Sequence, residues 1–152
     1  MNLILWRHAE AEDSASTDLA RQLTSRGHKQ AQTMAKWLRN RLPADAVILA
    51  SPAARAVQTA EALTDQYRVV KEIAPGAAAG DVVAAVGWPE GVAPTVVVVG
   101  HQPTLGLVAS LLVTGDENDW SIKKGGVWWL ESRDRSGAGQ VIVRAVISSD
   151  FA

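Results

Sequence analysis

The run Thr95–Val99, followed at once by Gly100 and His101, limits the fold more than any other stretch of this chain. Its four successive valines leave no polar face, so the strand they form must be covered on both sides. That requirement points to a parallel sheet between two layers of helices, and the rest of the chain supplies the parts. Asn2 to Trp6 and Ala46 to Ala50 are further apolar runs without helical spacing. Thr24 is placed to cap a helix in which Ala31, Met34, Ala35 and Leu38 recur at intervals of three and four, with Pro43 beyond its end. Ser51 and Pro52 read as the cap and first position of a second helix, which puts Arg55 on its first turns. Arg68 to Ile73 is β-branched enough for a strand, Asp81 is placed to cap a short helix through Val86, and Pro103 opens an apolar helix to about Val113. Gly126 to Ser132 and Gln140 to Ile147 read as an antiparallel pair joined by a polar, glycine-containing loop, with Trp128 and Trp129 on opposite faces. The order predicts an α/β fold, a three-layer αβα sandwich around a mostly parallel sheet with an antiparallel edge pair.

Composition narrows the chemistry. With 152 residues, 47% of them hydrophobic, residues 1–152 suit one compact domain. Fifteen basic against sixteen acidic residues give a net charge of −1, so no overall positive field draws in nucleic acid or an acidic membrane, and an anion site must be local. Cysteine is absent, which excludes disulfides, thiol catalysis and zinc–thiolate sites. The N-terminal residues lack the pattern of a signal peptide, and no apolar segment approaches the ~20 residues of a membrane helix. The expected location is the cytoplasm.

In sheets of this kind ligands bind beyond the carboxyl ends of the strands. Arg7 and His8 follow the first strand, Arg55 the second, and His101 the valine strand. Two arginines and two histidines at one edge suit a compact, multiply charged oxyanion, and phosphate fits best because guanidinium binds it bidentately. The arginines would repel a divalent cation, and no histidine pair has helical metal-site spacing, so neither a metal nor another cofactor is expected. A neutral imidazole in line with phosphorus can act as nucleophile while the other cations stabilise the equatorial oxygens.

These residues carry a family resemblance. LILWRHAEAE resembles the RHG signature of the histidine phosphatase superfamily, SPAARAVQTA its second-arginine motif, and VVVVGHQP its second-histidine motif; RQLTSRG before the first long helix also matches. The wording and short length look most like the SixA-like branch of phosphohistidine phosphatases, with a phosphoglycerate mutase-like fold. The resemblance implies that His8 is the nucleophile, forming a phosphohistidine intermediate, that Arg7 and Arg55 hold the phosphoryl oxygens, and that His101 completes the pocket. Arg21 and Glu10 are further candidates for substrate binding. Larger members take a general acid from the region after the third strand, where Glu72 and Asp81 lie, with Glu10 and Glu12 as rivals. Glu10, Glu12 and Asp13 read otherwise as partners of Arg21 or Arg55, Ser51 as a helix cap, and Gln58 and Thr59 as packing at the helix start. The signature glycine is Ala9 here, and a left-handed φ at that position would strain it by about 1–2 kcal/mol.

The short stretch between Ile73 and Thr95 leaves no room for the lid of larger members, so the site is expected to be open. An open site admits a phosphorylated side chain on another protein. The expected function is therefore a metal-independent phosphatase acting on protein phosphohistidine, with phosphate as product or inhibitor. The alternatives are a small-molecule phosphomonoesterase with the same residues and a non-catalytic phosphate- or phosphoprotein-binding module, for which Ala9 is the motive.

Overall fold

The computed structural model describes residues 1–133 and 139–152. The valine run is β4 (Thr95–Gly100), with every residue buried. Around it lie β1 (Asn2–Arg7), β2 (Val47–Ala50), β3 (Arg68–Val69), β5 (Val127–Arg133) and β6 (Gln140–Ile147), in the spatial order β3-β2-β4-β1-β5-β6. β3, β2, β4 and β1 run parallel, while β5 and β6 pair antiparallel, as expected. The expected β5–β6 loop falls largely outside the described residues.

Alternation along the buried strands sorts the core into two halves. Leu3, Leu5, Val96, Val98 and Leu130 face α3 (Ala79–Val86) and α4 (Thr104–Thr114) through Val82, Val86, Leu105 and Val108. Ile4, Trp6, Val97, Val99 and Trp129 face α1 (Ser25–Arg39) and α2 (Ala54–Leu63) through Met34, Leu38, Ala56 and Ala60. The three-layer expectation holds because a strand with no polar side needs both layers. Trp128 and Trp129 do part, Trp128 stacking on Trp120 at 5.2 Å and Trp129 meeting Trp37 edge-on at 6.2 Å.

Three local expectations need correction. α2 starts at Ala54 after Ala53, with no side-chain cap, so Ser51 and Pro52 precede the helix. The third strand stops at Val69, opposite Ala50 at the end of β2, whose carbonyl takes a last bond from Val70 N–H; Lys71–Ile73 then forms a 3-10 turn that buries Ile73. Asp81 lies within the first turn of α3, whose cap is Ala78. Thr24 caps α1 as expected, accepting the Gly27 N–H at 2.9 Å.

Gly27 also lets α1 approach the strand-end loop. A Cβ there would collide with the Glu10 carbonyl oxygen, which accepts the Thr24 N–H at 3.0 Å. Gly27→Ala must push this loop away, and we expect it to cost about 2 kcal/mol. In thermal unfolding that corresponds to a melting temperature lower by roughly 4–8 °C, and an unchanged value would contradict the close packing.

Candidate active site

Register brings the site together. Arg7 pairs with Gly100 and Ala50 with Val99, so β1, β2 and β4 end at one level and release His8, Ser51 and His101 side by side. The segment after β1 is pinned on every side. His8 N–H donates to Gly100 O, Gly125 N–H to His8 O, Ala9 N–H to Thr59 Oγ1 and Glu10 N–H to Gln30 Oε1, all at 3.0–3.1 Å. Among the described residues no residue other than glycine has a positive φ, so Ala9 sits in ordinary backbone and the expected strain is absent.

The His8 ring is buried, and its Nδ1 lies 2.7 Å from the Ala9 carbonyl oxygen. A carbonyl only accepts, so Nδ1 carries the proton and Nε2 of the neutral ring keeps its lone pair. Burial above all, with the charges of Arg55, Arg7 and Arg21 and against the opposing pull of Ala9 O, lowers the His8 pKa to about 4. The ring is therefore neutral at pH 7.

His101 stands 5.1 Å away, centroid to centroid. Its Nε2 is 2.7 Å from Ser51 Oγ, and that oxygen accepts the Ala53 N–H at 3.2 Å. The hydroxyl finds no other acceptor among the described residues, so it donates to Nε2, which leaves the ring proton on Nδ1. Burial, then repulsion from His8 when that ring is protonated and from Arg55, lowers the His101 pKa to about 3.

Each arginine is anchored at its far end. Arg7 Nη1 donates to Ile122 O at 2.8 Å; Arg55 Nη1 donates to Asp18 O at 2.8 Å and Nη2 to Asp18 Oδ2 at 3.1 Å. Their Nε atoms, with His101 Nδ1, are the three buried side-chain polar atoms that find no hydrogen-bond partner among the described residues. Buried donors are nearly always satisfied, and here all three belong to residues around one neutral imidazole. A phosphoryl group offers the oxygens they lack.

The structure thus brings Arg7, His8, Arg55 and His101 together. Arg21 reaches their edge, donating Nε to Glu12 O at 2.7 Å and Nη1 to Asp18 Oδ1 at 3.0 Å. Glu10 turns to α1, accepting from Thr24 Oγ1 at 3.3 Å and meeting Arg26 at 3.6 Å. Arg55 and Arg21 pair with Asp18, where Glu10, Glu12 or Asp13 had been expected. Glu72 and Asp81 are exposed on the 3-10 turn and on α3, with no hydrogen bond to the four central side chains. Sequence reasoning missed Asp18 and undervalued Ser51 and Thr59. The signal for Ser51 was its position at the end of β2, level with His101; Asp18 lies in a polar stretch that offers none.

Comparison with known proteins agrees with this geometry. The sequence model described as histidine phosphatase superfamily (branch 1) matches residues 3–78. The chain is 32% identical over 124 residues to the phosphohistidine phosphatase SixA of Escherichia coli K12, covering 76% of each chain. It is 33% identical over 127 residues to the Haemophilus influenzae SixA homolog, covering 74% of this chain and 77% of the relative. A solved structure of the protein histidine phosphatase SixA complexed with tungstate superposes with a TM-score of 0.83 at 28% identity, covering 99% of both chains. With its fold, its motifs and these relatives in agreement, the chain belongs to the histidine phosphatase superfamily, in its SixA-like branch.

Proposed function

We propose that this histidine phosphatase removes the phosphoryl group from phosphohistidine on a protein, through a covalent intermediate at His8. The observation that carries the reading is the set of three unpartnered buried donors, Arg7 Nε, Arg55 Nε and His101 Nδ1, around an imidazole whose Nε2 is unprotonated. In the proposed first step the donors hold the phosphoryl oxygens while His8 Nε2 attacks phosphorus and the P–N bond of the substrate breaks. A substrate imidazole protonated at its far nitrogen departs as neutral imidazole, so this step requires no carboxylic acid from Glu72, Asp81, Glu10 or Glu12. The phosphorylated His8 ring still carries its Nδ1 proton and is cationic, with Ala9 O accepting that proton's hydrogen bond. Water then attacks phosphorus, the Nε2–P bond breaks, and His8 returns to the same neutral tautomer with inorganic phosphate as product.

The substrate assignment draws support from the named activity of the relatives and from the chain between Ile73 and Thr95. That stretch forms α3, whose apolar side packs with α4 in the core. An uncovered pocket of this kind suits a phosphorylated side chain presented by another protein, and the proposed setting is the cytoplasm. Among the described residues no helix is long and apolar enough to cross a membrane. A small phosphomonoester is the second substrate class that the same donors can hold. The non-catalytic reading loses its motive, since Ala9 is unstrained.

His8→Ala is expected to abolish phosphate release from a phosphohistidine protein and from an aryl phosphate alike. Trapping in alkaline denaturant, which preserves phosphohistidine, is expected to find the label on His8 of the wild type alone; full activity in the mutant would sink the assignment. Arg55→Ala, losing a charge-assisted contact worth about 1.5–3 kcal/mol, is expected to lower kcat/KM by roughly 10- to 150-fold. Ser51→Ala is expected to lower kcat/KM about tenfold. It also releases the tautomer of His101, which ¹⁵N spectra read directly; an unchanged ¹⁵N pattern would deny Ser51 its positioning role.

The two imidazoles also set a pH response. Below the ordinary histidine value of 6.5 the unfolded chain takes up protons that the folded rings refuse until pH reaches about 4 for His8 and about 3 for His101. Stability is therefore fully present above pH 6.5 and is lost as pH falls through that window. Histidine ¹⁵N shifts are expected to show both rings neutral well below pH 6.5, and titration of either near that value would contradict the geometry.

A further inference from the structure

Asp18 is the one carboxylate bonded directly to the guanidinium groups of the site among the described residues. Its Oδ1 lies 3.0 Å from Arg21 Nη1 and its Oδ2 3.1 Å from Arg55 Nη2. Its backbone carbonyl takes Arg55 Nη1 at 2.8 Å. The residue opens a 3-10 turn, Asp18–Ala20, whose start is capped by Thr17 Oγ1 accepting the Ala20 N–H at 3.2 Å. The carboxylate is thus held in place by its own backbone as well as by its partners, and 57% of its side chain remains exposed at the rim.

This placement has a charge consequence. Arg7, Arg21 and Arg55 surround two imidazoles that are neutral at pH 7, and among the described residues no other carboxylate is bonded to these guanidinium groups. Inorganic phosphate near neutral pH is a mixture of monoanion and dianion, and a site that grips the transferring phosphoryl group also grips this product. The nearby Glu10 is engaged with Arg26 and Thr24, and Glu12 gives Arg21 only its backbone carbonyl. Hydrogen bonds from Arg21 and Arg55 hold the Asp18 carboxyl below its usual range, so it is ionised at neutral pH.

Resting on the phosphatase reading above, we propose that Asp18 is a built-in counter-anion that keeps product phosphate loosely held and so speeds its release. Asp18 anchors the far end of Arg55 and leaves the Nε side of that guanidinium for the phosphoryl group, while its charge opposes any anion that enters. Orientation and charge make opposite predictions for one substitution. Asp18→Asn keeps an acceptor for Arg55 and the backbone bond but removes the charge. If Asp18 served only to orient Arg55, phosphate binding would stay the same or weaken.

The test is titration of inorganic phosphate into wild type, Asp18→Asn and Asp18→Ala by calorimetry, with thermal unfolding to verify that each variant is folded and product inhibition measured in parallel. The expected result is about tenfold tighter phosphate binding in Asp18→Asn, a matching fall in the product-inhibition constant, and tighter binding in Asp18→Ala as well. Unchanged or weaker binding in a folded Asp18→Asn overturns the counter-anion role while leaving the phosphatase reading intact. Absence of phosphate binding in the wild type itself overturns the phosphate pocket on which both rest.

Discussion

The site depends on one constraint, the parallel pairing of β1 and β4 in a layer that water does not reach. Both strands are buried along nearly their whole length, so their register is set by side chains on two faces at once. A slip of one residue would turn Leu3, Leu5, Val96 and Val98 from one core into the other and destroy both. The same register that satisfies packing sets Arg7 level with Gly100, and thereby places His8 beside His101. The chemistry at the strand ends is positioned by the least chemical part of the molecule.

Much of this was legible in the sequence, and the boundary of legibility is physical. Apolar runs reveal strands because burial is additive over neighbours, and Thr24, Pro43 and Pro103 mark helix limits through their own backbone and capping preferences. Arg7, His8, Arg55 and His101 were legible because each sits immediately after a readable element. Ser51 was not, although its hydroxyl holds His101, since a serine before a proline at a helix start has a sufficient local explanation. Thr59 was hidden for the same reason. Asp18 and Glu10 exchanged their expected partners because a polar loop gives no periodicity from which to tell which carboxylate meets which guanidinium. Strand β3 was read too long, since β-branched residues suit a strand only while a neighbour offers hydrogen bonds, and the last that β2 offers is Ala50 O to Val70 N–H, after which the chain turns.

The electrostatic design is a division of labour between groups that cannot lose charge and groups that refuse to gain it. Arginine stays protonated in any protein environment, so burying 96% of Arg55 leaves its charge intact, with Asp18 as its anchor. Histidine yields to burial, and the two rings are neutral for that reason. Backbone and hydroxyl partners then decide which nitrogen of each ring bears the proton. The outcome is a bare ring nitrogen on His8 and a ring N–H on His101 made from the same residue type, told apart only by what stands behind them.

The Thr59 hydroxyl joins the two halves of this arrangement. It accepts the N–H of Ala9, next to His8, at 3.1 Å and donates to the carbonyl of Arg55 at 2.7 Å, without exposure to solvent. One oxygen atom therefore fastens the loop bearing one imidazole to the helix bearing one guanidinium. A displacement of α2 would therefore pull on that loop as well as on Arg55, through one atom. The spacing of imidazole and guanidinium thus has a fixed link inside the fold itself, independent of anything that covers the site.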